Sequence, residues 1–227
     1  MAWTGVSLLG NAAAEAGPGE RFIEKAKTVH DILGEHQDAV VLEEYRHKLV
    51  DKREAMHALE QQMNLLLIRH APAVRNGNAG IRDHDRPLTR RGRIRFRRAA
   101  RGLARITGRP DVLLTSPLTR ARATADIAAA AFKRVTPKIE PALGQDDVDV
   151  LVTALRKYRP DATVALVGHE PTLSGLLAHL LGMHQGDDRF AFKKGGAALV
   201  HLPDGPSVPG QLRWFIKPRM LRSLGVQ

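Results

Sequence analysis

The chain has 227 residues, 43% hydrophobic and 26% charged, enough apolar material for one substantial core with an appendage. It contains no cysteine, which excludes disulfide frameworks, thiolate metal sites and a cysteine nucleophile, and suits a reducing cytoplasm. Thirty-five Lys and Arg against 24 Asp and Glu give a net charge of +11, which favours acidic partners: phosphorylated protein, polyphosphate, nucleic acid or an anionic surface.

Residues 1–19 are rich in Ala and Gly and end in the breaker Gly17-Pro18-Gly19. The first Lys or Arg is Arg21, so the start lacks the basic region of a signal peptide, and no apolar run approaches the ~20 residues of a membrane helix. Glu20 to Leu33 has the spacing of a helix stopped by Gly34. A longer helix follows to about Met63, with Val41, Tyr45, Leu49, Met56 and Leu59 on one stripe. Residues 1–62 therefore read as a helical appendage. A hairpin this short cannot bury its stripe alone, so it should pack on the next domain, on a second copy in an oligomer, or on a partner.

At residue 63 the pattern changes to alternating strands and helices. Asn64 to Ala71 is an apolar run that ends abruptly on Arg69-His70, the signature of a strand covered on both faces. Thr89 is placed to cap an Arg-rich helix to about Thr107, in which Arg90, Arg93, Arg97 and Arg101 form a solvated stripe. Asp111 to Pro117 is a second strand and Thr119 to Phe132 an Ala-rich helix. Lys138 to Leu143 is read as a short third strand, and Asp147 to Tyr158 as a helix. The run Ala162 to His169 again ends on a histidine, and a helix opened by Pro171 runs to Leu181. Ala197 to Leu202 and Gln211 to Ile216 flank a turn and read as an edge hairpin. The alternation predicts a three-layer α/β/α sandwich on a mostly parallel sheet over residues 63–227.

In such sheets the carboxyl ends of the strands line the ligand crevice. Two strands that each deliver a histidine there, one beside an arginine, are poorly explained by packing, because Arg is almost never buried unpaired. Strand alternation puts Arg69 and His70 on opposite faces, so their convergence requires the chain to flare at the strand end. The Asp83-His84-Asp85 cluster is read as a solvated loop rather than a metal site. Aromatics at 4%, with no helix-turn-helix, zinc-finger or RNA-recognition signature, argue against nucleic acid as the partner.

Arg69-His70, Ser116-Pro117-Leu118-Thr119-Arg120-Ala121 and Gly168-His169-Glu170 resemble the three signature segments of the histidine phosphatase superfamily. Asp85-Arg86-Pro87-Leu88-Thr89, Phe192 to Gly196 and Trp214 to Arg219 resemble its small SixA-like, phosphohistidine phosphatase branch. The resemblance implies a phosphoglycerate mutase-like fold and a phosphatase that needs neither metal nor cofactor. It implies that His70 attacks phosphorus and carries it as phosphohistidine, that Arg69 and Arg120 hold phosphate oxygens, and that His169 adds a donor, with Arg86 completing the pocket. In the appendage, Leu33-Gly34-Glu35-His36-Gln37-Asp38-Ala39 resembles the closing helices of the CHAD family, basic domains associated with polyphosphate.

The elementary chemistry agrees with those roles. A phosphoryl group in transfer spreads negative charge over its oxygens, so it needs cations around it and an in-line nucleophile. A neutral imidazole is such a nucleophile. No motif marks a general acid among Glu140, Asp146, Asp147 and Asp149. The nitrogen leaving group of phosphohistidine is easily protonated and needs one least, which favours a protein phosphohistidine as substrate. A phosphomonoesterase for a small metabolite or nucleotide, and a polyphosphate- or phosphoprotein-binding module, are the alternatives.

Overall fold

The structure is a computed structural model that describes residues 62–226, apart from 76, 78–79, 134, 184–189 and 207–208. The expected N-terminal helices and the CHAD-like run lie outside the described residues.

The chain enters the fold through β1 (Met63–Arg69), whose four central residues Leu65, Leu66, Leu67 and Ile68 are all fully buried. That explains the unbroken apolar run: both faces of this strand are covered, so neither can be polar. Then follow α1 (Arg90–Thr107), β2 (Val112–Thr115), α2 (Thr119–Phe132), β3 (Pro137–Ile139), α3 (Val148–Leu155), β4 (Thr163–Gly168), α4 (Thr172–Leu180), β5 (Ala197–Leu202), β6 (Gln211–Ile216) and α5 (Pro218–Leu224). The six strands form one sheet in the order β3-β2-β4-β1-β5-β6. The first four run parallel, and β5 and β6 add an antiparallel hairpin at one side.

Side-chain alternation splits the core in two. Leu65 and Leu67 of β1, with Leu114, Val164 and Leu166, pack under α3 and α4. Leu66 and Ile68, with Leu113, Ala165 and Val167, pack under α1, α2 and α5. The result is the expected three-layer sandwich on a mixed, mostly parallel sheet.

Three local readings are corrected. The strand expected from Lys138 to Leu143 stops at Ile139, and Pro141–Gly144 is a turn of 3-10 helix instead. Pro141 has no N–H to give a ladder, and the Glu140 carboxylate accepts from Ala142 N at 3.4 Å, which starts the turn. Pro171 caps α4 rather than occupying its first turn. The helix α5, for which the sequence pattern predicts no element, begins with Pro218 at its first turn.

The terminal helix lies unusually close to α1, and glycine permits it. A Cβ on Gly102 would stand 2.0 Å from the Leu221 carbonyl oxygen, and one on Gly225 would stand 1.9 Å from the Arg98 carbonyl oxygen. Alanine within an exposed helix normally stabilises by about 1 kcal/mol over glycine. At Gly102 the sign reverses, because the obstacle is backbone that cannot turn aside. Gly102→Ala is expected to destabilise the protein by about 1–3 kcal/mol. Urea unfolding of the variant beside wild type measures this.

Candidate active site

β1 ends at Arg69, and three backbone clamps fix what comes next. Arg69 N donates to Gly196 O at 3.0 Å, and His70 N donates to Gly168 O at 2.9 Å at the end of β4. Gly195 N donates to the carbonyls of both Arg69 and His70 at 3.1 Å. Gly195 does this from φ +82°, a conformation that side-chain-bearing residues rarely adopt. These bonds hold the backbone of Arg69 and His70 at the sheet edge where β1 ends.

His70 is buried, with 4% of its surface exposed. Its Nδ1 lies 2.7 Å from the Ala71 carbonyl oxygen. A carbonyl can only accept, so Nδ1 carries the hydrogen, and in the neutral ring Nε2 keeps a free lone pair. Burial pushes the His70 pKa down to about 3, against the pull of the Ala71 bond and assisted by the positive charges of Arg120, Arg69 and Lys194. At neutral pH the ring is an uncharged base.

The other expected residues collect around it. Arg120, in the first turn of α2, is anchored by Thr124, whose hydroxyl donates to Arg120 O at 2.7 Å and accepts from Ala71 N at 3.1 Å. Arg69 directs Nη1 to the Phe192 carbonyl. The Glu170 carboxylate lies near enough to raise the Arg69 pKa, although burial lowers it overall. Glu170 is itself fixed by Phe192 N at 2.6 Å and by the Ser174 hydroxyl at 2.6 Å. His169 follows β4 beside Arg120, and burial and then that cation lower its pKa. Arg69 Nε, Arg120 Nε and His169 Nε2 are buried with no hydrogen-bond partner among the described residues. Two guanidinium N–H groups able to donate, beside an uncharged imidazole, suit an oxyanion.

Arg86 joins this group through a residue that sequence reasoning missed. Asp83 Oδ1 lies 2.6 Å from Arg86 Nη2, and its Oδ2 lies 3.1 Å from Arg120 Nη2. Its backbone carbonyl also accepts from Arg120 Nη1 at 2.8 Å. These pairings hold the Asp83 carboxyl below its ordinary range. Within the Asp83-His84-Asp85 turn only the first residue faces the site, while His84 pairs with Asp85 at 2.9 Å. The one available signal was position, since Asp83 precedes Arg86 by three residues and can meet it across a single turn.

The loop that carries Asp83 is bound back to the segment that follows β1. Ala73 bridges Leu88, and Thr89 N donates to Pro72 O at 3.0 Å. Thr89 caps α1 as expected, its hydroxyl accepting from Gly92 N at 2.9 Å. A Cβ on Gly92 would meet the Pro72 carbonyl oxygen at 2.2 Å, so only glycine allows this approach.

The four carboxylates weighed as proton donors separate. Glu140 is committed to Lys157 at 2.7 Å, and Asp147 caps α3. Asp149 is exposed in the first turn of α3. Asp146 accepts from the Thr172 hydroxyl at 2.8 Å and lies close enough to His169 to raise its pKa.

Known proteins resemble this chain in sequence and in fold. The family model of the histidine phosphatase superfamily (branch 1) matches residues 65–150. An uncharacterized protein of Picosynechococcus sp. strain PCC 7002 is 34% identical over 137 residues, 59% of this chain and 82% of that protein. The structure of the SixA protein of Agrobacterium tumefaciens superposes with a TM-score of 0.59 at 25% identity, over 69% of this chain and 99% of that one. The protein histidine phosphatase SixA complexed with tungstate gives 0.58 at 24% identity, over 70% and 99% of the two chains. Mycobacterial glucosyl-3-phosphoglycerate phosphatase gives 0.53 at 19%, over 68% and 98%; at these lower identities the likeness is one of fold.

Two outcomes follow from the site itself. Between pH about 3 and 6.5 the unfolded chain takes up a proton at residue 70 that the native protein refuses. Stability is therefore lost as pH falls through that window, by up to ~1.4 kcal/mol per pH unit. Urea unfolding at pH 7 and pH 4.5 should show a smaller loss for His70→Gln than for wild type. Asp83→Asn keeps the backbone bond to Arg120 and removes a charge that competes for its guanidinium. With Asp83 half-exposed the pair is worth about 1 kcal/mol, so inhibition by orthophosphate should tighten several-fold in that variant, read as Ki.

Proposed function

Because the chain belongs to the histidine phosphatase superfamily, we propose that it is a phosphatase that works through a phosphohistidine on His70, with a protein phosphohistidine as its substrate. The observation that carries the reading is a buried imidazole kept uncharged, with Nδ1 tied to a carbonyl, inside a ring of cations.

His70 Nε2 attacks phosphorus in line with the leaving group. The phosphorus–nitrogen bond to the substrate imidazole breaks, and that imidazole leaves with a proton from solvent. Water then attacks the phosphohistidine, releases orthophosphate and returns His70 as a neutral ring. Arg69 and Arg120 hold the equatorial oxygens and their charge balances what develops there, with His169 as a further contact. Arg86, engaged by Asp83, would add to the rim of the pocket.

A second reading has one observation in its favour. Asp146, beside His169, could protonate an oxygen leaving group. That would suit a phosphomonoester of a small metabolite or nucleotide.

Hydrolysis of a phosphohistidine peptide and of p-nitrophenyl phosphate, without added metal, tests both. Wild type should turn over the peptide faster, His70→Ala should abolish both activities, and Arg120→Ala should lose about 10²–10³-fold in kcat. A preference for the ester that depends on Asp146 would favour the second reading.

A further inference from the structure

The positive charge of the chain is unevenly distributed. Residues 62–227 hold 28 of the 35 Lys and Arg but only 13 of the 24 Asp and Glu. The stripe read from sequence, Arg90, Arg93, Arg97 and Arg101, is exposed, but a largely different set of arginines lines a groove. A cavity of about 330 Å³ opens between α1 and α5, with Pro72 and Lys194 at one end and Arg95, Lys217, Arg219 and Arg222 along it. It continues past Arg95 and Arg222 into a second cavity of about 570 Å³, walled by Arg90, Arg91 and Arg98.

Three features give this groove a purpose. It reaches the neighbourhood of His70, since its lining includes Gly195, whose N–H bonds the His70 carbonyl, and Lys194, close enough to depress the His70 pKa. Among the described residues, none of the cations along it has a carboxylate partner. Its aromatic lining, Phe96, is only 2% exposed, so neither base stacking nor an aromatic anchor is available. The crowding is felt by the groove itself: the Arg222 pKa is lowered by burial and then by Arg95 and Arg219.

We propose that the groove between α1 and α5 docks an acidic segment of the phosphoprotein substrate, flanking the phosphorylated residue held at His70. The proposal rests on the phosphohistidine reading given above. An unpaired row of cations leading away from a phosphate pocket recognises what extends beyond the phosphoryl group. Its contribution is electrostatic, so it should act on capture and weaken with salt.

The test uses the full chain, wild type and the double variant Arg95→Glu/Arg219→Glu, both exposed positions outside the catalytic group. Three substrates are compared: a phosphohistidine peptide flanked by three glutamates, the same peptide with glutamines, and phosphoramidate. Wild type is expected to favour the glutamate peptide about tenfold in kcat/KM at low salt, with the preference shrinking in 0.5 M NaCl. The variant should lose that preference and hydrolyse phosphoramidate as before. Equal kcat/KM for the two peptides in wild type, or a preference that survives in the variant, overturns the proposal. If none of the three is hydrolysed, the phosphohistidine reading fails, and fluorescence anisotropy of the labelled glutamate peptide still decides the groove. Tighter binding of a polyphosphate chain or an oligonucleotide than of that peptide, lost in the variant, would also overturn it.

Discussion

A proton is kept off one buried imidazole, His70, and much of the surrounding structure bears on that. Burial alone makes His70 reluctant to charge, and three nearby cations make it more so. Those same cations are what a phosphoryl group needs. On the function proposed here, one electrostatic arrangement serves the nucleophile and the anion together. It has a cost in buried positive charge, which Glu170 and Asp83 offset: Glu170 lies by Arg69, and Asp83 spans Arg86 and Arg120. The backbone clamps from Gly168, Gly195 and Gly196 hold the ring where this balance applies.

The elements with strong local signals were legible in the sequence. α2 runs from Thr119 to Phe132 as expected, and the hairpin strands match at Ala197–Leu202 and Gln211–Ile216. Helical spacing and strand-length apolar runs are written in nearest neighbours. Where the reading failed, tertiary contact decided. Pro218 to Leu224 is short and carries two arginines, so its periodicity is faint; it is a helix packed against Gly102. The expected strand after Ile139 was undone by a proline and a side-chain cap.

The site divides the same way. His70, Arg69, Arg120 and His169 could be picked out because each stands at the end of a strand or the start of a helix, where the order of elements fixes its place. Their assignment to chemical roles came from the resemblance. Asp83 was passed over because its partner lies 37 residues away on α2, and nothing local to the loop announces that pairing. Arg95 and Arg222 were passed over for a related reason. Each looks like an ordinary surface residue until α1 and α5 are set side by side.

The glycine contacts between those two helices carry a further consequence. With backbone against backbone at Gly102 and Gly225, the two rows of arginine cannot spread apart to relieve their mutual repulsion. The strain is met when the chain folds, not when a ligand arrives, so the surface is ready to receive an anion without rearranging. Stability and capture are thereby set against each other in this part of the molecule. On the docking role proposed for the groove, neutralising an arginine there would ease this repulsion and weaken the pull on an acidic partner together.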